Sequence, residues 1–304
     1  MSAVHSRRLV ELRKRMVEQG LEALLLLRPE NRRYISGFTG EGALLVTAEK
    51  AWIFTDGRFG EQARLEAPGW ELRLIRKTFL EALSEVLQGQ RIELGFEDDF
   101  LTFRQVRQIE EHLPQITLRP SAGLVEKMRM VKDPEEIAMI REACVITCAA
   151  LRHLLGELRE GMREQEAAAL MEFFMRTQGA GPPAFETIVA SGERSALPHG
   201  AASGKPMSRG ELVVIDLGAT YGGYAADLTR TIAIGYFSEK QREVFEVVRE
   251  AQESAIDFIR AGVTTGEVDA AARCVIEKAG YGDYFLHSLG HGVGLAVHEE
   301  PRIA

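Results

Sequence analysis

The chain has 304 residues, 45% of them apolar and 27% charged, with a net charge of −8. This length allows two domains of ordinary size, and the composition is that of a globular protein. The acidic balance argues against a general nucleic-acid binder, because phosphate contacts require a basic face. No apolar run approaches the roughly 20 residues that span a bilayer, and residues 1–20 lack the apolar core of a signal peptide. With three cysteines and no disulfide framework, the sequence indicates a cytoplasmic protein that contacts neither nucleic acid nor membrane.

Residues 1–125 alternate short apolar runs with amphipathic stretches. Strands are predicted at residues 23–27, 43–47, 52–55, 70–75, 91–96 and 115–118. Helices are predicted near residues 9–16, 60–66, 79–88 and 102–113. The alternation predicts an α/β domain in which some strands are antiparallel, because several connections are short. Since no nucleophiles or metal ligands concentrate here, we interpret this domain as a scaffold.

The second predicted domain, residues 126–304, begins with a clear helix start. Asp133 can be the N-cap, Pro134 occupies the first helical position, and Glu136 completes a capping box. The apolar residues that follow at helical spacing predict one buried stripe. They are Ile137, Ile140, Cys144, Thr147, Cys148, Leu151 and Leu155. We therefore expect Cys144 and Cys148 to be buried thiols rather than a metal site.

Further helices and strands follow in the second domain. They are predicted as a helix at residues 164–178, a strand at 187–190, a Gly/Ser/Pro-rich loop with His199, a hairpin, and helices at 238–261 and 266–280. Helices on one side of a largely antiparallel sheet would make this domain α+β.

The hairpin carries two aspartates. An apolar run ends in Asp216, a glycine-containing turn follows, and a second extended run carries Asp227, eleven residues later. If the two pair directly, the turn centres on Tyr221 and Gly222, and their Cβ atoms lie about 5 Å apart. Carboxylates that close repel each other unless a cation lies between them, and hard divalent cations prefer oxygen ligands. Taken alone, the hairpin leaves open a solvated turn with two incidental aspartates.

Four of the seven histidines come late in the chain. They are His199, His287, His291 and His298. His287 and His291 have the i, i+4 spacing of a helical zinc pair, but the glycines between and after them argue against a helix. Those glycines favour a loop whose backbone approaches a metal or a substrate. One histidine would more often be a core residue, whereas four, together with two carboxylates, favour a metal site.

These motifs together resemble a known family. They are Leu197-Pro198-His199-Gly200, the Asp216 and Asp227 pair, Gly290-His291-Gly292-Val293-Gly294 and Val297-His298-Glu299. The pattern resembles the pita-bread metallopeptidases, most closely their Xaa-Pro aminopeptidase and prolidase branch. Residues 1–125 resemble the creatinase-type N-terminal α/β domain of that branch, and residues 126–304 its pita-bread α+β catalytic domain. The resemblance covers nearly the whole chain.

The resemblance also implies a metal centre. Such enzymes use two divalent ions, with Mn²⁺ expected here and Co²⁺ or Zn²⁺ as alternatives. Carried onto this sequence, Asp216 would bind one ion, Asp227 would bridge both, and His291 would be a terminal ligand. The ions would hold the hydroxide that attacks the bond before proline.

Three further histidines match positions near the substrate in this family. His199 and His298 match residues that contact substrate and stabilise the tetrahedral intermediate. His287 matches a position that is often histidine in the proline-specific branch. The implied partners are proline-containing peptides or dipeptides and a second copy of the chain in a homodimer.

The sequence departs from the family in one respect. The family supplies two further metal-binding glutamates beyond the His-Glu segment, whereas this sequence ends at Ala304. Two divalent ions carry more charge than two aspartates and a hydroxide can balance. The sequence is therefore expected to be either a fragment of a longer protein that lacks the closing strands of the fold, or a family member that has lost the site. In both cases we expect the 304-residue chain to bind metal poorly and to be inactive.

Two other functions compete with the peptidase. One is a non-catalytic binding module on the same fold, and the other is a creatinase-like amidinohydrolase that needs no metal. The Asp216, Asp227 and His291 set argues against both, because neither function requires facing carboxylates beside an imidazole.

Overall fold

The structure, a computed structural model that describes residues 2–304, divides into two units at Val131 and Lys132. The sequence placed this boundary near residue 125. The helix that follows residue 123 belongs to the first unit, because its Leu124, Val125 and Met128 are buried. In the described residues no helix combines the length and the apolar character needed to cross a membrane.

The first unit is a mixed six-stranded sheet with six helices in its described residues. The strands are β1 (Ala23–Leu26), β2 (Ala43–Thr47), β3 (Ala51–Thr55), β4 (Glu71–Leu74), β5 (Glu93–Phe96) and β6 (Thr117–Pro120). The helices are α1 (Ala3–Glu18), α2 (Pro29–Ser36), α3 (Gly60–Glu66), α4 (Phe79–Leu87), α5 (Phe103–His112) and α6 (Leu124–Arg129). The strand order is β4-β3-β2-β1-β5-β6, and β2 runs antiparallel to both of its neighbours. The predicted α/β domain with some antiparallel strands is confirmed.

The sequence did not predict α2, because the group that caps it is distant in the chain. Its N-cap residue, Arg28, makes no side-chain capping bond. Instead the Glu97 carboxylate accepts hydrogen bonds from the backbone N–H groups of Leu27 and Arg28, at 2.6 and 2.8 Å, and from Asn31 Nδ2 at 2.6 Å. Burial raises the pKa of Glu97 even so. A buried carboxylate thus replaces the local cap that a sequence pattern could show.

The second unit combines a three-stranded antiparallel sheet with four helices in its described residues. The strands are β7 (Ile188–Ser191), β8 (Leu212–Leu217), β9 (Thr220–Tyr221), β10 (Tyr224–Ala225), β11 (Leu228–Ala233), β12 (Gly290–Gly292) and β13 (Glu299–Ile303). The helices are α7 (Pro134–Glu157), α8 (Glu164–Thr177), α9 (Glu239–Phe258) and α10 (Thr265–Lys278). The sheet order is β11-β8-β7, while β9 with β10 and β12 with β13 form separate antiparallel pairs. The predicted α+β domain is confirmed.

Helix α7 begins as predicted but buries a different face. Asp133 accepts hydrogen bonds from the backbone N–H groups of Glu135 and Glu136, both at 3.0 Å, and the capping box is complete. The buried positions, however, are centred on small residues that allow close packing. They are Ala143, Ile146, Thr147, Ala150, Leu151 and Leu154. Ile137 and Leu155 are exposed, and so is Cys144, for which the expected burial was wrong.

Strand β8 separates the core of the second unit from the face that carries its carboxylate. Val213, Ile215 and Leu217 are fully buried and belong to the same apolar cluster as residues of α7 and α8. Because side chains alternate along a strand, Asp216 points to the opposite face.

A buried threonine ties α7 to the hairpin. Thr147 Oγ1 accepts a hydrogen bond of 2.9 Å from the backbone N–H of Ala219, and donates one of 2.8 Å to the carbonyl of Ala143. Both Thr147 and Ala219 are almost completely buried. The hydroxyl therefore supplies the acceptor that the Ala219 N–H would otherwise lack away from water.

We expect Thr147→Val to lower the free energy of unfolding by about 1–3 kcal/mol, because it leaves a buried backbone donor without its acceptor while keeping the side-chain shape. Thr147→Ser, which keeps the hydroxyl, is the control and should lose less. Urea denaturation of both variants checks the prediction. Equal stability of the two variants would show that the hydrogen bond contributes nothing.

Candidate metal centre

The hairpin register places the two aspartates as diagonal neighbours. In the ladder between β8 and β11, Asp216 pairs with Thr229 and not with Asp227. The turn consists of Gly222 and Gly223, with φ of +53° and +80°, which a two-residue hairpin turn with two left-handed residues requires. The predicted direct pairing and the turn centred on Tyr221 and Gly222 are therefore wrong. A shift of two residues keeps every side chain on its face, so both aspartates still share one face of the hairpin.

The Asp216 carboxylate lies in an environment that disfavours its charged form. Its Oδ1 atom is buried and makes no hydrogen bond within the described part of the chain. Burial raises the pKa of Asp216, and the nearby negative charge of Asp227 raises it further. A hydrogen bond from Thr229 and the charge of His199 act in the opposite direction. These effects mean that Asp227, Thr229 and His199 all lie close to the Asp216 carboxylate.

His291 directs one ring nitrogen at the second aspartate. Its Nδ1 lies 2.9 Å from the carbonyl oxygen of Gly292, and a carbonyl can only accept, so Nδ1 carries the proton. The other ring nitrogen, Nε2, lies 3.4 Å from Asp227 Oδ2. A metal-binding histidine usually has this arrangement, with one ring nitrogen donating to a backbone carbonyl and the other directed at the site.

His298 joins this group. One ligand atom from each of Asp227, His291 and His298 lies within 4.8 Å of the others. The centroids of the two imidazole rings are 4.3 Å apart. Asp216 is not a member of this close trio. His298 therefore lies close to the potential ligand atoms of Asp227 and His291, whereas the sequence predicted only a substrate contact for it.

The other two predicted histidines lie outside the trio. His199 is exposed on the loop after β7 and acts on Asp216 through its charge. His287 is exposed, with Nδ1 2.8 Å from the Ser288 carbonyl and its ring edge-on to Phe285. The structure therefore brings His199 to Asp216, whereas His287 lies beside α10, where Arg273 Nη2 donates a hydrogen bond of 3.0 Å to its carbonyl.

The glycines around His291 allow close approaches between parts of the chain itself. A Cβ on Gly294 would stand 2.6 Å from the carboxylate of Glu299, which accepts a hydrogen bond from Ala296 N at 2.9 Å and one from Lys132 Nζ at 3.2 Å. The close approach predicted toward a metal or substrate is thus an approach to a neighbouring part of the same unit. Because Glu299 is occupied by these contacts, it is not available as a ligand.

Sequence reasoning missed Thr229. Its hydroxyl supplies a hydrogen bond to Asp216 from the paired strand. The signal was present in the i, i+2 spacing of Asp227 and Thr229, which places both on one face of an extended strand.

The residues fit a divalent cation. The half-buried Asp216 carboxylate has an unpaired oxygen, Asp227 lies beside it, and Nε2 of His291 lies 3.4 Å from Asp227 Oδ2. A cation between them would neutralise the repulsion and pair the free oxygen. Carboxylate oxygens and neutral imidazole suit Mn²⁺, Zn²⁺ and similar ions.

We expect Asp216→Asn to raise the Tm of the metal-free protein by about 2–4 °C, the shift that 1 kcal/mol produces in a domain of this size. The folded-state pKa of Asp216 is raised, so its ionised form destabilises the fold, and wild-type stability falls as the pH rises through that pKa. The difference in Tm between the wild type and the variant should therefore become smaller as the pH falls toward about 4. Calorimetry in EDTA measures it, with the exposed Asp257→Asn as control. A lower Tm for Asp216→Asn at neutral pH would contradict the argument.

Comparison with known proteins gives the same two-part organisation. The family model described as "Metallopeptidase family M24" matches residues 138–304, and the "Creatinase/Prolidase N-terminal domain" matches residues 8–131. The matched ranges meet close to the boundary between the two structural units.

Individual relatives are similar over almost the whole chain. An "Xaa-Pro dipeptidase" of Pyrococcus furiosus is 41% identical over 98% of this chain and 84% of its own length. A solved "Xaa-Pro dipeptidase from Bacillus anthracis" is 41% identical with a TM-score of 0.94, covering 99% of this chain and 85% of that one. An "X-Pro aminopeptidase from Thermotoga maritima" is 40% identical with a TM-score of 0.86, covering 95% and 85%. The chain belongs to metallopeptidase family M24, with the creatinase-type N-terminal domain preceding the catalytic domain.

Proposed function

We propose that this metallopeptidase hydrolyses the peptide bond before proline, as an Xaa-Pro dipeptidase or an Xaa-Pro aminopeptidase. The observation that carries the proposal is the half-buried Asp216 carboxylate, with one buried oxygen unpaired, beside Asp227 and the Nε2 atom of His291. Relatives that are about 40% identical over nearly the full chain carry both activities in their names, which supports the substrate class.

Asp216, Asp227 and His291 would hold two divalent ions, with Mn²⁺ first and Co²⁺ or Zn²⁺ as alternatives. Bound ions of this kind polarise a carbonyl and lower the pKa of water enough to provide a nucleophile at neutral pH. The protein contributes the fixed orientation of the ligands. Asp216 is held by Thr229, and His291 is held by the Gly292 carbonyl.

Two exposed histidines would contact the substrate. His199 lies near Asp216, and the ring of His298 lies against that of His291. Both are exposed, so a peptide can reach them from solvent, whereas His291 is partly enclosed and tied to the backbone. As N–H donors they would stabilise the negative charge that develops on the scissile carbonyl oxygen. For His287, which is exposed beside α10, a role near the substrate stays a prediction from the family resemblance.

Three finer points stay predictions: a homodimer, a cytoplasmic location, and low metal affinity and turnover of the 304-residue chain. Calorimetric titration of a purified protein ending at Ala304 with Mn²⁺ tests the last point, and tight binding of two ions with Xaa-Pro turnover would contradict it.

We expect Asp227→Asn to weaken Mn²⁺ binding by more than about 100-fold, because an amide removes a charged ligand, and outer-shell changes alone typically cost 10–100-fold. His199→Ala should leave Mn²⁺ affinity unchanged but slow turnover about 10²–10³-fold, the effect of losing one donor to the developing oxyanion. Calorimetric titration and kinetics on the gene-encoded protein separate the two variants. If both lose metal equally, the assigned division between ligand and substrate contact is wrong.

A second assay tests the substrate class. We expect the enzyme to hydrolyse Ala-Pro, and also Ala-Pro-Ala if it is an aminopeptidase. Cleavage of Ala-Ala and Met-Ala should be far slower. Dialysis against a chelator should abolish turnover, and added Mn²⁺ should restore it. Full activity after exhaustive chelation, or faster cleavage of Met-Ala than of Ala-Pro, would falsify the proposed function.

A further inference from the structure

A fully buried carboxylate, Glu164, lies at the N-terminus of α8 and accepts five hydrogen bonds. Oε1 accepts from the backbone N–H and the hydroxyl of Ser191, both at 2.8 Å. Oε2 accepts from the backbone N–H of Ser203 at 3.1 Å, from its hydroxyl at 2.6 Å, and from Arg194 Nε at 3.0 Å. One side chain therefore joins two points that are twelve residues apart in the sequence.

The segment between these points, residues 192–202, carries His199, and we name it the His199 loop. Arg194 braces it from within, because its guanidinium donates to Glu164 and also, at 2.6 Å, to the carbonyl of Ala201. Backbone hydrogen bonds from Leu197 to Arg194 and from Gly200 to Leu197 complete the turn before and after the histidine. The exposed imidazole is thus presented by a loop whose two ends and one internal turn are fixed.

Glu164 remains charged in this environment. Burial alone would raise the pKa of its carboxyl, but the hydrogen bonds from Ser203 and Ser191 hold that pKa below its usual value. The balancing cation, Arg194, is itself part of the His199 loop and about one-third exposed. An apolar side chain in its place would leave two backbone N–H groups and the Arg194 charge without their acceptor, so the carboxylate is needed to keep the two ends of this loop together.

We propose that Glu164, acting through Arg194, is a positioning residue that holds His199 beside Asp216. This inference rests on the proposed Xaa-Pro hydrolysis, in which His199 contacts the substrate. Glu164 itself does not touch the reacting atoms. Its hydrogen bonds fix the ends of the loop, and the loop places the imidazole whose charge acts on Asp216.

The kinetic test is a double-mutant cycle. Glu164→Gln replaces one acceptor oxygen with a donor, and Arg194→Lys keeps the charge but loses the fork that bridges Glu164 and Ala201. Each should lower kcat/KM by about 10–100-fold, the range for losing a group that orients a functional side chain. In a His199→Ala background the same changes should cost about twofold or less, because residues that act through one another are not additive. Mn²⁺ affinity should stay unchanged throughout.

A second measurement does not depend on turnover. The ring resonances of His199 and the hydrogen exchange of the Ser191 and Ser203 amides are followed by NMR in the metal-free protein. Both variants should shift the His199 resonances and speed exchange at the two serines. Glu97→Gln is the matched control, because Glu97 is a buried carboxylate in the first unit that also accepts backbone donors. It should lower stability without moving the His199 resonances.

The outcomes separate the two proposals. If the wild type cleaves no Xaa-Pro substrate but both variants move the His199 resonances, the proposed function fails and the positioning role stands. If turnover is present and the penalties of Glu164→Gln and His199→Ala simply add, the positioning role is overturned. Unchanged His199 resonances in the Arg194→Lys protein, which keeps the buried carboxylate, would overturn it as well.

Discussion

The repulsion between Asp216 and Asp227 is the constraint on which the second unit depends. The two carboxylates share one face of a hairpin, and burial together with mutual charge raises the pKa of Asp216. A solvated pair would turn apart, but here the strand ladder and the Thr147 contact from α7 keep the hairpin in place. The fold thus supplies the energy that keeps an unfavourable pair together, and a divalent cation bound between the two carboxylates would relieve their repulsion.

The same type of hydrogen-bonded anchor recurs around this centre. Each histidine-bearing segment is anchored by a carboxylate that accepts backbone N–H groups. Glu164 holds the His199 loop, Glu299 accepts from Ala296 between His291 and His298, and Asp269 accepts from Leu289 next to His287. Arg273 completes the third anchor by bonding both Asp269 and the carbonyl of His287. Loops carry the functional side chains, and buried charges give those loops the precision that a strand would give.

Local signals in the sequence were reliable where the physical cause is local. The capping box at Asp133 and Glu136 fixed the start of α7, and alternation along β8 put Asp216 opposite the core. Helix α2 was not predicted because its cap is Glu97, far along the chain. The buried face of α7 was misjudged because apolar residues occur on several sides of this helix and so offer several possible stripes. Only the packing partner selects among such stripes, and here it selected the small residues.

The sequence by itself determined the residue types of the site, their order and the shared face of the two aspartates. Period-2 alternation makes that face insensitive to a register shift of two. Tertiary structure decided the register itself, the tautomer of His291, the approach of His298 to Asp227 and the anchoring of the His199 loop by Glu164. The tautomer depends on the backbone conformation that brings the Gly292 carbonyl to the ring, and the others depend on groups that are distant in the chain or on a turn whose two glycines permit more than one centre. Their positions follow from packing and hydrogen bonding in the folded unit, which no local pattern encodes.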